Sequence, residues 1–177
     1  KIINIGSRCA KFINKDFDNK LSKDVGNKSL LDTMLSKKNE IISNYESRNF
    51  ATNIRIITSL SDEVNKYLDE EKPWVKIKNQ DTKESVQTIC TDGINAFRII
   101  ITYLKPVLPD IACKVESMLN ADSLSYQNIS DMILDHKINF VSRMAIFCTP
   151  GNNRCICNYK TSWSIWMVFR YISSIWL

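Results

Sequence analysis

The chain has 177 residues, 24 Lys plus Arg against 19 Asp plus Glu, 44% hydrophobic residues, four glycines and four prolines. So little Gly and Pro beside 24% charged residues excludes collagen-like, linker-like and strongly disordered classes, and leaves one mostly helical domain long enough to bury a core. The net charge of +5 invites a nucleic-acid reading, yet residues 140–177 carry four basic residues and no acidic one, so residues 1–139 are nearly neutral.

Residues 1–19 place Ile2, Ile3, Ile5, Cys9, Phe12, Ile13 and Phe17 at a spacing near that of an α-helix, which predicts one apolar stripe. Asn4 and Arg8 are four apart, share a face and can reach one object. A second, weaker helix is predicted over 28–45, with Leu30, Leu31, Met34, Leu35, Ile41 and Ile42 inward. A long helix follows from Phe50 through Ile54, Ile57, Val64 and Leu68 and stops at Pro73, where the ring disfavours helix in the preceding residue. Trp74 then stands just past a helix end, free to project from the bundle, with Lys76, Lys78 and Lys83 around that corner. Val86, Ile89, Cys90, Ile94, Phe97, Ile101 and Leu104 mark another amphipathic helix. Pro106 and Pro109 punctuate a turn before a last helix that ends near Asn120, and 131–136 is read as one more short helical segment. No strand alternation appears, so the fold class is all-α, a helix bundle.

The chemistry of known active sites is missing. A lone histidine, His136, argues against imidazole metal sites and Ser/His/Asp catalysis and reads as a helix-end or surface residue. Cys148, Cys155 and Cys157 lack the paired spacing of a zinc ribbon, and the four glycines stand too far apart for a phosphate loop. Asp69-Glu70-Glu71 reads as a solvated helix end. No catalytic, cofactor or metal residues are expected in this chain. Cys9, Cys90 and Cys113 are single and widely spaced, which suits lone buried thiols in a reducing compartment; no secretory h-region opens the chain, and a cytoplasmic location is expected.

Asn4-Ile5-Gly6-Ser7-Arg8, Phe12-Ile13-Asn14-Lys15, Glu71-Lys72-Pro73-Trp74, Gly93-Ile94-Asn95-Ala96-Phe97-Arg98, Tyr103-Leu104-Lys105-Pro106-Val107-Leu108-Pro109 and His136-Lys137-Ile138-Asn139 occur in this order. Together they resemble the α-helical anticodon-binding domain of bacterial methionyl-tRNA synthetases, class I enzymes, over residues 1–139. Helix followed by Pro-Trp is weak by itself; the Asn-x-x-x-Arg pair with the distant Pro-Trp and the Lys-Pro-Val-Leu-Pro turn is more specific. The resemblance implies that Asn4, Arg8 and Trp74 are RNA-binding and receive the CAU anticodon of tRNA. It also implies a partner catalytic domain of the same synthetase, which joins methionine to tRNA using ATP and magnesium. The nucleotide-binding fold of that half is absent from these residues, so this chain alone is expected to be inactive.

On the residues alone, Trp74 serves equally as a cap on the core, Arg8 as the partner of Asp16 or of a carboxylate on another helix, and Asn4 as an ordinary first-turn residue. Lys11, Lys15 and Arg55 are candidate phosphate contacts or solvated lysine and arginine faces. Residues 140–177 are read as an atypical aromatic-rich tail, frameshifted or disordered; Ser162 to Leu177 falls short of the ~20 residues that span a membrane, and no membrane partner is expected. The competing function is a helical protein-interaction module without an RNA role.

Overall fold

A computed structural model describes residues 1–139 as seven helices: α1 (Ile2–Asp16), α2 (Lys28–Ser36), α3 (Lys38–Glu46), α4 (Phe50–Glu71), α5 (Pro73–Lys76), α6 (Lys83–Leu104) and α7 (Pro109–Leu119), with a 3-10 turn at Gln80–Thr82. The all-α expectation holds among these residues, where the nearest thing to a strand is an isolated bridge between Lys20 and Lys137. The reading of 140–177 as a separate tail lies outside the described residues.

Helix α6 is the axis of the molecule. From Ile89 to Leu104 every residue is buried, so the helix predicted to be amphipathic is enclosed on all sides. Its apolar members meet α1, which runs antiparallel to it: Gly6 faces Phe97 and Gly93 faces Cys9. A Cβ on Gly6 would stand 2.6 Å from the Phe97 ring and one on Gly93 2.5 Å from the Cys9 sulfur, so both glycines are there to let two helices approach closely. Ion pairs Lys1–Asp62 and Arg8–Asp69 keep the same sequence offset, which sets α4 parallel to α1 along its flank.

The polar residues of α6 bind the chain that covers them. Buried Asp92 accepts hydrogen bonds from the backbone amides of Gly26 and Asn27 and from the Tyr67 hydroxyl, so the loop before α2 and the side of α4 both hang on one carboxylate. Burial holds that carboxyl above its ordinary pKa, against the pull of these donors. Asn95 exchanges two hydrogen bonds with the backbone of Ile133, and the Arg98 guanidinium donates to the carbonyls of Asn128 and Ile129.

Two predicted elements differ. The helix expected over 28–45 breaks at Lys37, whose ψ of −5° interrupts the i to i−4 ladder; Leu31 and Met34 of α2 and Ile41 of α3 still reach the core. The helical segment expected over 131–136 is irregular backbone, because Asn95 takes the Ile133 amide and carbonyl, and Leu21 and Ser22 pair with His136 and Asp135. His136 is half-buried with Nε2 2.8 Å from the Leu119 carbonyl, and Asn139 donates to the carbonyls of Ser117 and Met118, so the returning chain caps the exposed end of α7. Among the described cysteines the free buried thiols are Cys9 and Cys90, which hydrogen-bond each other; the expectation of free buried thiols holds for those two and not for Cys113.

Candidate nucleic-acid interface

The first helix and the end of the fourth supply the site. Ile5, Cys9 and Ile13 bury one face of α1, which leaves Asn4 and Arg8 on the other. Helix α4 ends at Lys72, which takes the left-handed conformation (φ 47°) that terminates a helix. Pro73, buried and at the first position of α5, starts the chain in a new direction with its φ already set. Trp74 follows, half-buried, and Val75 beside it is 54% exposed, the large apolar side chain most open to solvent among the described residues.

The fold brings Arg8 and Trp74 together although they are 66 positions apart. The Arg8 guanidinium carbon lies 4.7 Å from the centroid of the Trp74 ring, a cation–π distance. The same guanidinium reaches an Asp69 carboxylate oxygen at 3.4 Å, with the Arg8 side chain 32% exposed. Of the alternatives open at the sequence level, Arg8 therefore pairs across to another helix rather than with Asp16. Asn4 stands one turn before Arg8, half-buried; its carbonyl accepts from the Ser7 hydroxyl, and its carboxamide bonds no other described residue. Asn4 is thus a neighbour of the Arg8–Trp74 pair and not a member of it.

Sequence reasoning missed the role of Asp69. Its run with Glu70 and Glu71 looked like a solvated helix end, yet Asp69 pairs with Arg8 and Glu71 with Lys76. The available signal was the repeat on α4: Asp62 and Asp69 are seven apart, as Lys1 and Arg8 are on α1, the pattern of two helices laid side by side. Among the described residues no three His, Cys, Asp or Glu side chains gather as metal ligands, and no helix is long and apolar enough to cross a membrane. A cleft of about 350 Å³ bordered by Arg98, Asn120, Asp131 and His136 is lined by the chain that covers α6, and there Arg98 already spends its terminal amines on backbone carbonyls.

Solved structures share this architecture. Mycobacterium tuberculosis methionyl-tRNA synthetase in its free state superposes with a TM-score of 0.73 at 17% identity, over 83% of this chain and 32% of that one. The same organism's synthetase bound to methionyl-adenylate gives a TM-score of 0.71 at 17% identity, over 77% of this chain and 29% of its own. The chain thus spans about a third of the length of these synthetases. The family model described as the anticodon binding domain of methionyl tRNA ligase matches residues 19–148, which takes in Pro73 and Trp74, begins after Asn4 and Arg8, and runs past the boundary expected at 139. With most of its length matched, the chain belongs to the family of methionyl tRNA ligase anticodon-binding domains.

Proposed function

We propose that this chain receives the CAU anticodon of tRNA at Asn4, Arg8 and Trp74, as the recognition part of a methionine–tRNA ligase. The observation that carries the reading is the Arg8 guanidinium seated 4.7 Å from the Trp74 ring centroid, with Asn4 one turn away. Bases splayed from a single-stranded loop are held by stacking on aromatic or guanidinium planes and by hydrogen bonds to their exposed edges. Trp74 supplies the plane, Arg8 a second plane with several donors, and Asn4 one donor group and one acceptor. A base stacked at Trp74 gains about 1–3 kcal/mol, and an edge contact a similar amount, enough to tell one anticodon from another.

Asp69 prepares the site by holding Arg8 in one place, so less side-chain freedom is lost when RNA arrives. Residues 1–139 are nearly neutral, so placed contacts and not bulk charge carry the recognition. Methionine activation, with its ATP and magnesium, belongs in this reading to the catalytic domain of the same ligase, and the share of this chain is recognition.

The test is the affinity of the full chain for a tRNA with a CAU anticodon and for the same tRNA with one anticodon base changed. The expected result is a preference for CAU; Trp74→Ala weakens binding by about tenfold or more, and Arg8→Ala erodes the preference. If neither substitution alters affinity or preference, the three residues are not the reading surface. A chain that binds neither RNA fits the protein-interaction alternative instead.

A further inference from the structure

We propose that the exposed ridge of α1 beyond Arg8, formed by Lys11 and Lys15, seats the backbone phosphates of the RNA strand whose bases reach Trp74. This rests on the anticodon reading and adds to it a separate, sequence-blind contact. At about 100° per residue, Asn4, Arg8, Lys11 and Lys15 fall within about 60° of arc on α1, on the side opposite buried Ile5, Cys9 and Ile13. The four make one straight row, and Arg8 to Lys15 spans about 10 Å at about 1.5 Å per residue. Lys11 and Lys15 are both exposed and take part in no ion pair or hydrogen bond with another described residue, whereas Lys1, Lys66 and Lys76 nearby are each engaged by a carboxylate.

Trp74 bounds that row at its Arg8 end. Lys83 lies with its ammonium 5.8 Å from the ring centroid of Phe17, two residues past Lys15. Two residues on is about 200° around a helix, so Lys83 lies off the row of Lys11 and Lys15. Of the carboxylates at this end of α1, Asp16 points about 100° away from Lys15, and Asp18, past the helix, is paired with Lys137. Lys11 and Lys15 are thus two exposed positive charges on a nearly neutral body, and they begin where the reading row ends. Phosphate contacts fix the register of a strand without carrying sequence, so the ridge positions the loop while Arg8 and Trp74 read it.

The experiment measures affinity of the full chain for a CAU anticodon stem-loop RNA, and for the same RNA with one anticodon base changed, across a salt series. The parent is compared with Lys11→Gln/Lys15→Gln and with Lys38→Gln. Gln keeps helix propensity at exposed sites, and Lys38 stands at the far end of α6, on the helix after Met34, whose carbonyl bonds Tyr103. In the double variant, affinity is expected to drop about three- to tenfold at low salt. The slope of log affinity against log salt should shrink by about 1.4, from about 0.7 per phosphate lost, while the ratio between the two RNAs is unchanged. Lys38→Gln should match the parent. A double variant with the parent's slope and affinity overturns the ridge and leaves the anticodon reading standing. A double variant that loses the ratio but keeps the slope also overturns it, by making the lysines part of base reading. A parent without preference between the RNAs overturns the anticodon reading, and with it the role given to the ridge.

Discussion

Asp69 is the residue at which the site is most open to manipulation. It is 62% exposed at its side chain, so its pair with Arg8 is worth about 0–1 kcal/mol in stability, but its effect on where the guanidinium sits is direct. Replacing it by Asn keeps the volume and removes the charge that holds Arg8 against Trp74. Asp69→Asn is expected to leave folding stability within about 0.5 kcal/mol and to narrow the preference for a CAU anticodon by about two- to fivefold. Paired binding titrations with the cognate and a single-base-altered RNA check this; an unchanged ratio means that Asp69 has no hold on recognition. The residue was invisible in the sequence because three consecutive acids before a proline fit a solvated helix end, and only the parallel lie of α1 and α4 gives one of them a partner. Arg8 and Trp74 were legible as members of a resemblance. Nothing in their spacing could put one over the other, since that depends on Lys72 turning left-handed and redirecting the chain.

Helical periodicity was enough for the existence and extent of α1, α4, α6 and α7, because each carries an apolar stripe long enough to define its face. It failed in two instructive ways. The break at Lys37 leaves the apolar spacing of α2 and α3 intact, so the pattern reads straight through it. In α6, Thr91, Asp92, Asn95, Arg98 and Thr102 interrupt the apolar run as a solvent face would, yet all are buried: loops take the hydrogen bonds of the first four, and Thr102 donates back to the Arg98 carbonyl of its own helix. The glycines are the other element-scale device. At the α1–α6 seam, Gly6→Ala gains up to about 1 kcal/mol of helix propensity. It also drives a methyl to 2.6 Å from the ring of Phe97, which is fully buried and has nowhere to move. Overpacking of this kind costs about 1–3 kcal/mol, so the clash wins. Gly6→Ala is expected to lower stability by about 1–2 kcal/mol in denaturant titration and, because α1 is pushed outward, to weaken RNA binding as well. A variant as stable as the parent means that the seam has slack the close approach does not suggest.

At the scale of the molecule, α6 separates two jobs. Through Gly93 and Phe97 it seats α1, which carries Asn4 and Arg8. Through Asn95 and Arg98, on its far side, it holds the returning chain from 121 to 139. The motif residues from Gly93 to Arg98, read from the sequence as one block of resemblance, thus divide between the two faces. Arg98 is only 3% exposed, and burial lowers its pKa, with Asp131 the carboxylate that acts in the opposite direction. Among the described residues its Nε bonds nothing, so the guanidinium rests on two carbonyls and the charge of Asp131. Arg98→Met removes a costly buried cation and keeps most of the apolar volume, but leaves the Asn128 and Ile129 carbonyls without donors. Hydrogen bonds from charged groups contribute about 1.5–3 kcal/mol each, and the relieved desolvation offsets part of that. A net loss of about 1–3 kcal/mol is expected, concentrated in the covering chain. Amide exchange at Ile133, Asp135, Ile138 and Asn139, whose N–H groups bond Asn95, Ser22, Asn19 and Met118, should accelerate well before that of α1 and α4. The preference for a CAU anticodon should be unchanged, because Arg8 and Trp74 sit across α6 from the opened segment. Exchange that rises equally in α1 and in 121–139 means that the two faces of α6 open as one unit, and the division of labour along that helix is then wrong.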